Sequence, residues 1–330
     1  MTTYTSIKKI RILLIVFGGV YLAAQLFNFS KVNDPVTEHI GSEYMSKYNV
    51  YALKTPDKIL FAGEDVPIER WDVKESFDRE LLVNTYWQSQ TLLFIKRANR
   101  FFPIIEPILR EEGIPDDFKY LALIESGLVQ TIESPAGAVG IWQFMEGTAK
   151  DYGLEVGSEV DERYNVEKST HAACNYLKDS YKKYGSWTLV AASYNSGRRF
   201  LDRQMQLQDA GNYFDLLLGE ETGRYVFRIM AIKRIMENTD EFGFKYRESD
   251  LYVNIPTRKL KITGSVENFA FFAKENGINY KLLKFFNPWL RKAYLTNKYK
   301  KEYEITLPAK GYINFAFSEY KNPSDSVSVK

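Results

Sequence analysis

The chain has 330 residues, enough for one large domain or two of ordinary size. Hydrophobic residues make up 45% and charged residues 26%, so most of the chain buries a core and wholesale disorder is excluded. A single cysteine, Cys174, excludes an internal disulfide, and the two histidines lie far apart without metal-ligand spacing. We therefore expect no metal site and no cofactor.

Charge is distributed unevenly along the chain. The formal net charge is +2, but the region from Leu251 to the C-terminus has 14 Lys and Arg against 6 Asp and Glu. Residues 1–11 carry +3, so residues 12–250 carry a net charge of −9. An acidic body followed by a basic C-terminal region indicates two regions with different roles.

The N-terminal residues have the pattern of a membrane-directed segment. Two lysines and one arginine within residues 8–11 flank an apolar run, and Ile10–Phe29 is just long enough to span a bilayer as a helix. Basic residues on the leading side predict that this end stays in the cytoplasm and that the rest is exported. A cleaved signal peptide is the alternative, because the short apolar run and Ala-Ala at 23–24 also fit one. Residues 1–29 are thus predicted to be a signal anchor or a signal peptide.

The remaining chain divides into four predicted segments. Scattered proline and glycine turn signals predict a partly ordered approach segment over residues 30–85. Apolar residues at three- and four-residue spacing predict a helical domain over residues 86–245. Residues 250–310 predict a small α+β module, and residues 311–330 a polar tail. The elements predicted in the module are strands at Leu251–Ile255, Lys259–Thr263 and Tyr303–Leu307, and helices at Val266–Glu275 and Tyr280–Phe286.

One carboxylate lies on an apolar helix face. Pro115 and Gly127 mark the start and end of a short predicted helix, and Phe118, Leu121 and Glu125 fall on one of its faces. Burial of that face and the negative end of the helix dipole both favour the protonated form of Glu125. A carboxyl that is partly neutral near physiological pH is suited to general acid catalysis. The alternative is a helix-terminal glutamate that turns to solvent or pairs with an arginine.

Two further blocks combine amides with aromatic rings. Closely spaced glycines precede Gln143 and its neighbour Trp142, and a predicted helix over residues 186–197 places Tyr194 and Asn195 at its C-terminal end. Amide groups beside aromatic faces suit carbohydrates, which present both hydroxyl groups and apolar faces. Taken singly, each block also fits a turn or a helix end whose aromatic ring belongs to the core.

Four blocks together resemble the signature blocks of the lysozyme-like lytic transglycosylases, with most similarity to the membrane-bound type D group. They are Glu-Ser-Gly at 125–127, Gly-Ile-Trp-Gln at 140–143, Tyr-Asn-Ser-Gly at 194–197 and Glu-Thr-Gly-Arg-Tyr-Val at 221–226. The likeness covers roughly residues 85–240. It implies a mainly α fold with a lysozyme-like helical catalytic domain. It also implies cleavage of the β-1,4 bond between N-acetylmuramic acid and N-acetylglucosamine in peptidoglycan.

The resemblance also implies the roles of individual residues. Glu125 takes the catalytic position, first as general acid and then as base for the muramyl 6-hydroxyl, which gives a 1,6-anhydro end. The residues that match substrate-binding positions are Ser126, Gln143, Tyr194, Asn195, Glu221 and Tyr225. Glu133 and Glu146 match no signature position and are predicted to be surface charges. A hydrolytic muramidase and a non-catalytic peptidoglycan-binding scaffold are the alternative functions.

The C-terminal module resembles a degenerate lysin motif, which binds glycans that contain N-acetylglucosamine. A Leu-x-x-x-Asn-Pro sequence at 283–288 carries the likeness, whereas Gly264-Ser265 replaces the usual Gly-Asp turn. Glycan binding and a small packing domain with solubilising lysines both remain open. The resemblance implies peptidoglycan glycan strands as the partner, no nucleic acid, and a location on the periplasmic side of the cell envelope. In the anchor alternative, residues 10–29 hold the protein in the inner membrane.

Overall fold

The computed structural model describes residues 50–312. The predicted anchor or signal peptide, the first part of the approach segment and most of the polar tail lie outside the described residues. Between residues 50 and 312, no helix combines the length and the apolar character that crossing a bilayer requires.

Helices build most of the structure between residues 71 and 237. In chain order they are α1 (Trp71–Tyr86), α2 (Gln88–Glu111), α3 (Phe118–Ser126), α4 (Glu146–Asp151), α5 (Val166–Tyr184), α6 (Trp187–Ser196), α7 (Arg198–Gln208) and α8 (Glu220–Glu237). Short 3-10 helices occupy Glu162–Tyr164, Tyr213–Asp215 and Glu248–Asp250. One hydrophobic core runs through these elements, with Trp142, Phe77 and Phe118 among its largest fully buried side chains. The predicted mainly α class is confirmed.

Residues 59–86 differ from the predicted approach segment, because they form part of the helical core. Strands β1 (Ile59–Phe61) and β2 (Glu64–Val66) pair as an antiparallel hairpin that leads into α1. Phe61 and Phe77 are fully buried in the same core as α8. The turn signals of this segment mark a hairpin rather than a linker, and its apolar residues find their partners in helices that follow much later in the chain.

The hairpin also caps the N-terminus of α6. The Glu64 carboxylate accepts hydrogen bonds from the backbone N–H groups of Trp187 and Thr188 and from the Ser186 hydroxyl. Ser186 stands at the N-cap position, but its side chain makes no capping bond to the helix. A carboxylate at a helix N-terminus is favourable because free N–H groups and the helix dipole both attract negative charge.

Helix α3 confirms the predicted end at Gly127 and begins three residues after Pro115. It spans Phe118–Ser126 and ends at Gly127, which adopts the left-handed conformation with φ 58°. Phe118 and Leu121 are fully buried, so the face that carries them points into the core. Glu125 is therefore brought to the edge of the core at the last turn of the helix.

The C-terminal module has the predicted β-α-α-β order. Its elements are β3 (Thr257–Ile262), α9 (Phe269–Glu275), α10 (Tyr280–Phe286) and β4 (Tyr303–Pro308). The two strands pair antiparallel, with Thr257 opposite Pro308 and Ile262 opposite Tyr303. The predicted α+β character of this region is confirmed.

The strand predicted at Leu251–Ile255 is wrong, because this segment binds a helix instead of another strand. The Tyr252 N–H donates to the Lys96 carbonyl at 3.1 Å, and the Asn99 amide donates to the Tyr252 carbonyl at 3.3 Å. The Arg100 guanidinium donates to the carbonyl of Val253 at 3.0 Å. An alternating apolar pattern does not specify which element binds the extended segment. Here residues of α2 take up its backbone hydrogen bonds.

The module packs on the loop between α4 and α5. The Asp161 N–H donates to the Trp289 carbonyl at 2.9 Å, and the Arg291 N–H donates to the Glu159 carbonyl at 2.8 Å. The Arg291 guanidinium also lies 3.9 Å from the centre of the Tyr164 ring. The core of the module is completed by three buried residues from the helical region, Val139, Val160 and Tyr164.

Candidate active site

Glu125 lies half-buried at the last turn of α3, where its carboxylate accepts a hydrogen bond from the Tyr225 hydroxyl. Burial raises the pKa of Glu125 to about 7, and the charge of Glu221 acts in the same direction. The Tyr225 hydrogen bond and the charge of Arg228 act in the opposite direction and lower the pKa. Both protonation states of the carboxyl are thus populated near neutral pH, which suits a general acid or a general base.

Tyr225 reaches Glu125 from α8, 100 residues later in the sequence. Its ring is buried, and both burial and the nearby Glu125 charge raise the pKa of its hydroxyl well above the ordinary value. Tyr225 therefore keeps its proton and acts as a fixed hydrogen-bond donor to the carboxylate.

Ser126 is directed into the helix end rather than toward Glu125. Its hydroxyl donates to the Ala122 carbonyl at 2.9 Å and accepts from the Leu128 N–H at 3.0 Å. The side chain is buried. These two bonds fix the backbone that carries Glu125.

The glycine-rich block folds back on itself beside the 3-10 helix at Glu162–Tyr164. Gly140 has φ 76°, and a Cβ atom at this position would lie 2.1 Å from the Arg163 carbonyl oxygen, so no other residue fits. Gln143 follows with φ 48° and donates its amide to the Gly140 carbonyl at 2.8 Å. The amide predicted to bind substrate therefore also stabilises the turn.

Arg163 holds the two ends of this block. Its guanidinium donates to the carbonyls of Gly137 at 3.1 Å and Phe144 at 3.2 Å. It also pairs with the buried Asp161 carboxylate at 2.7 Å. A buried arginine of this kind is stable only with such a complete set of partners. Arg163 belongs to a stretch, residues 160–164, that also resembles the type D group, but its sequence context predicted no role for it.

Tyr194 joins α6 to the glycine-rich block. Its hydroxyl donates to the Trp142 carbonyl at 2.6 Å, and its ring packs 5.2 Å from the ring of Tyr176. Burial and the nearby charge of Glu125 raise the pKa of Tyr194 well above the ordinary value. Trp142 is itself fully buried, with its indole N–H bonded to Thr170 at 2.9 Å, so this indole belongs to the core.

Asn195 connects α6 to the start of α8. Its amide oxygen accepts from the Thr222 hydroxyl at 2.7 Å, and its amide nitrogen donates to the Glu221 carboxylate at 3.3 Å. Glu221 is exposed, and its charge acts on Glu125. The two helices therefore present an amide and a second carboxylate on the same side of the molecule as the Glu125–Tyr225 pair.

The other two acidic candidates lie at the surface. Glu133 and Glu146 are both exposed, and Glu146 pairs with Lys150 at 2.6 Å one helical turn away. Their prediction as surface charges is confirmed.

A second group of charged residues, which the sequence analysis missed, lies between α1 and α8. Glu80 is fully buried, and its Oε1 atom accepts from the Arg224 guanidinium at 2.6 Å. The Nε atom of Arg228 lies 3.7 Å from the other carboxylate oxygen. Arg228 follows Tyr225 by three residues on α8, which is the one signal in the sequence that places it near the Glu125 site.

Two family models match the chain. Residues 102–216 match the Transglycosylase SLT domain, and residues 258–311 match the Soluble lytic transglycosylase C-terminal LysM-like domain. The chain carries an SLT transglycosylase domain. The residues matched by the SLT domain include Glu125, Gln143, Tyr194 and Asn195, whereas Tyr225 lies beyond them on α8.

The chain is also similar to proteins that are named as transglycosylases. It is 28% identical over 239 residues to membrane-bound lytic murein transglycosylase D of Escherichia coli K12, which covers 70% of this chain and 51% of that protein. It is 30% identical over 122 residues to peptidoglycan transglycosylase gp16 of Escherichia phage T7, which covers 36% of this chain and 9% of that protein. The chain thus spans about half the length of the E. coli relative. Among solved structures, the 70 kDa soluble lytic transglycosylase SLT70 of E. coli matches with a TM-score of 0.38 at 16% identity, over 63% of this chain and 43% of that one.

Proposed function

We propose that this protein is a peptidoglycan lytic transglycosylase that cleaves the β-1,4 bond between N-acetylmuramic acid and N-acetylglucosamine and leaves 1,6-anhydro-muramyl ends. The observation that carries the proposal is the half-buried Glu125 carboxyl, which lies among the residues matched by the SLT domain and is hydrogen-bonded to the buried Tyr225 of α8. Burial raises the pKa of this carboxyl to about 7. A carboxyl of that acidity is protonated in a large fraction of molecules at neutral pH, as protonation of a leaving group requires.

In the first step, protonated Glu125 donates its proton to the glycosidic oxygen. The bond between that oxygen and C1 of the muramyl residue breaks, and the electron pair leaves with the N-acetylglucosamine hydroxyl. The Tyr225 hydroxyl bonds to the carboxylate that forms and stabilises its charge. Positive charge at C1 is met by the N-acetyl carbonyl of the same sugar, so no second enzyme carboxylate is needed at this step.

In the second step, the Glu125 carboxylate accepts the proton of the muramyl 6-hydroxyl. The oxygen of that hydroxyl forms a bond to C1, which closes the 1,6-anhydro ring and leaves Glu125 protonated again. Water takes no part, so the reaction is that of a lyase. One residue serves both steps because its pKa lies close to the working pH.

Amides at the site orient the sugar. The Asn195 side chain has two amide hydrogens, and Glu221 accepts one of them. We assign the other to the N-acetyl group of the substrate. Tyr194 and Gln143 act by shaping the glycine-rich block, to which both are hydrogen-bonded, and Ser126 acts by fixing the end of α3.

A hydrolytic muramidase is the second candidate, and Glu221 is the observation that favours it. Glycosidases that use water pair an acid with a second carboxylate. The exposed Glu221 carboxylate acts electrostatically on Glu125 and is the group suited to activate a water molecule.

Digestion of purified murein in heavy-oxygen water separates these two functions. The transglycosylase releases fragments that are one water lighter than reducing-end fragments, without a reducible end and without the heavy isotope. Reducing ends that carry one heavy oxygen would establish hydrolysis and overturn the proposal. Murein that binds the protein but stays intact would indicate a non-catalytic scaffold.

The proposed place of action is the periplasmic side of the cell envelope, with peptidoglycan strands as the partner. Residues 10–29 would hold the protein in the inner membrane or direct its export as a cleaved signal peptide. Mass spectrometry of the protein purified from membranes tests this, because an anchored chain keeps residues 1–29 and a cleaved one lacks them.

A further inference from the structure

Glu80 is a buried carboxylate that the proposed mechanism does not use. One of its oxygens is bonded to Arg224, whereas Oε2 has no hydrogen-bond partner within residues 50–312 and faces Arg228 at 3.7 Å. A buried carboxylate is costly unless neighbouring groups compensate its charge. Glu80 is therefore hydrogen-bonded to Arg224, whereas its contact with Arg228 is an ion pair without a hydrogen bond.

Arg228 lies between this carboxylate and the Glu125 site. Glu221, Tyr225 and Arg228 follow each other at intervals of four and three residues, so they share one face of α8. Tyr225 on this face is hydrogen-bonded to Glu125. The positive charge of Arg228 thus acts on two acidic side chains: Glu80, at 3.7 Å, and Glu125, whose pKa it lowers.

The groups that face Glu125 come from three helices. From α8 they are Glu221, Tyr225 and Arg228, and from α6 the buried hydroxyl of Tyr194. Helix α2 contributes Arg97, which donates to the Gly127 carbonyl at 3.1 Å just beyond Glu125. Arg228 is the cation whose charge lowers the pKa of Glu125.

We propose that Glu80 is a positioning residue for the general acid: by holding Arg228 in an ion pair between α1 and α8, it prevents that guanidinium from pairing with Glu125. The proposal rests on the proposed function, in which Glu125 must be protonated before it acts. Without the Glu80 charge, Arg228 is left with Glu125 as its acidic neighbour and stabilises the carboxylate form. Less of the enzyme then holds the proton that the first step consumes.

The alternative role for Glu80 is a purely structural tie between two helices. Loss of such a tie lowers stability and activity at every pH but leaves the acidity of Glu125 unchanged. The positioning role instead shifts the pH at which Glu125 loses its proton, and removal of Arg228 shifts it in the opposite direction. The shift in Glu80→Gln thus separates the roles, and the shift on removal of Arg228 checks that the Arg228 charge acts on Glu125.

The test is a carbon-13 NMR titration of the glutamate carboxyl groups in the full chain, with the Glu125 signal identified by its absence in Glu125→Gln. Glu80→Gln should lower the pKa of Glu125 by on the order of one unit, and Arg228→Gln should raise it. Arg228→Lys keeps the charge and should give a value near the wild type. Arg79→Gln is the matched control, because the exposed Arg79–Glu220 pair joins the same two helices at 3.0 Å.

A titration of Glu125 that is unchanged in Glu80→Gln overturns the proposal. If that variant does not fold, a Glu125 pKa that fails to rise in Arg228→Gln overturns the proposal equally. The titration needs no substrate. A chain that leaves murein intact but shows both shifts would therefore disprove the proposed function and support the role of Glu80.

Discussion

At the scale of single residues, Glu125 combines chemical usefulness with a cost in stability. The carboxyl has a pKa of about 7 in the folded chain against 4.5 for an unperturbed glutamate. Below pH 4.5 both the folded and the unfolded chain hold the proton. Between pH 4.5 and 7 the unfolded chain releases it while the folded chain keeps it, so stability falls as the pH rises.

Replacement of Glu125 by Gln should therefore stabilise the protein at alkaline pH. Relative to wild type, the free energy of unfolding of Glu125→Gln should be nearly unchanged at pH 4 and higher by up to roughly 3 kcal/mol at pH 8. Urea titrations at the two pH values measure this difference. An equal difference at both values would show that Glu125 ionises normally in the folded chain.

The sequence predicts some of these residues better than others. The spacing of Phe118, Leu121 and Glu125 predicts a carboxyl at the edge of the core, and the helix confirms that face. The partner of Glu125, Tyr225, follows 100 residues later and was identified by resemblance to a family rather than by local pattern. Glu80 carries no signal, because its burial depends on arginines that lie more than 140 residues away in the sequence.

At the scale of elements, the glycine-rich block is held by backbone contacts that no larger residue allows. A Cβ atom at Gly140 would lie 2.1 Å from the Arg163 carbonyl, whereas one at Gly137 would meet no atom within 4 Å. Both glycines have positive φ, at 76° and 84°. The two positions therefore separate steric conflict from backbone strain.

Gly140→Ala should destabilise the protein by about 2–4 kcal/mol, because the loop must move away from the 3-10 helix. Gly137→Ala is the matched control and should cost only about 1 kcal/mol through its backbone conformation. Chemical denaturation measures both values. An equal loss of stability in the two variants would show that the loop accommodates a Cβ atom at Gly140 without strain from the Arg163 carbonyl.

Local sequence signals predict an element well when capping residues mark its ends. They fail when the element pairs with residues far away in the sequence. Helix α10 spans Tyr280–Phe286 as predicted, since Asn279 caps it and Asn287 ends it. Leu251–Ile255 has the alternation of a strand, yet α2 takes up its hydrogen bonds. The turn signals within residues 59–67 fit both a linker and a hairpin, and burial of Phe61 in the core of the helical domain favours the hairpin.

At the scale of the whole molecule, the C-terminal module shares its interior with the helical region. Val139, which lies within the glycine-rich block, is buried in the core of the module together with Val160 and Tyr164. Lys259 of β3 pairs with Glu167 at the start of α5 at 2.8 Å. This region of the helical part therefore depends on the module for burial, whether or not the module also binds glycan.

A chain that ends at Pro256 should unfold at a lower temperature than the full chain and should release murein fragments more slowly, although it keeps Glu125 and Tyr225. The reason is that its three buried residues at the module contact become exposed. Thermal unfolding and fragment release, measured together on both chains, check this. A module that serves only to bind the wall would instead lower murein affinity and leave the melting temperature unchanged.

The most direct test of the account is the rate of murein release by Glu125→Gln, measured beside sedimentation of the variant with murein. The substitution keeps the size of the side chain and removes the carboxyl that gives up a proton in the first step and accepts one in the second. We expect release to fall by roughly 100-fold or more, with sedimentation equal to that of the wild type. Release within a few-fold of the wild-type rate would show that another residue supplies the proton, and would contradict the central role given to Glu125.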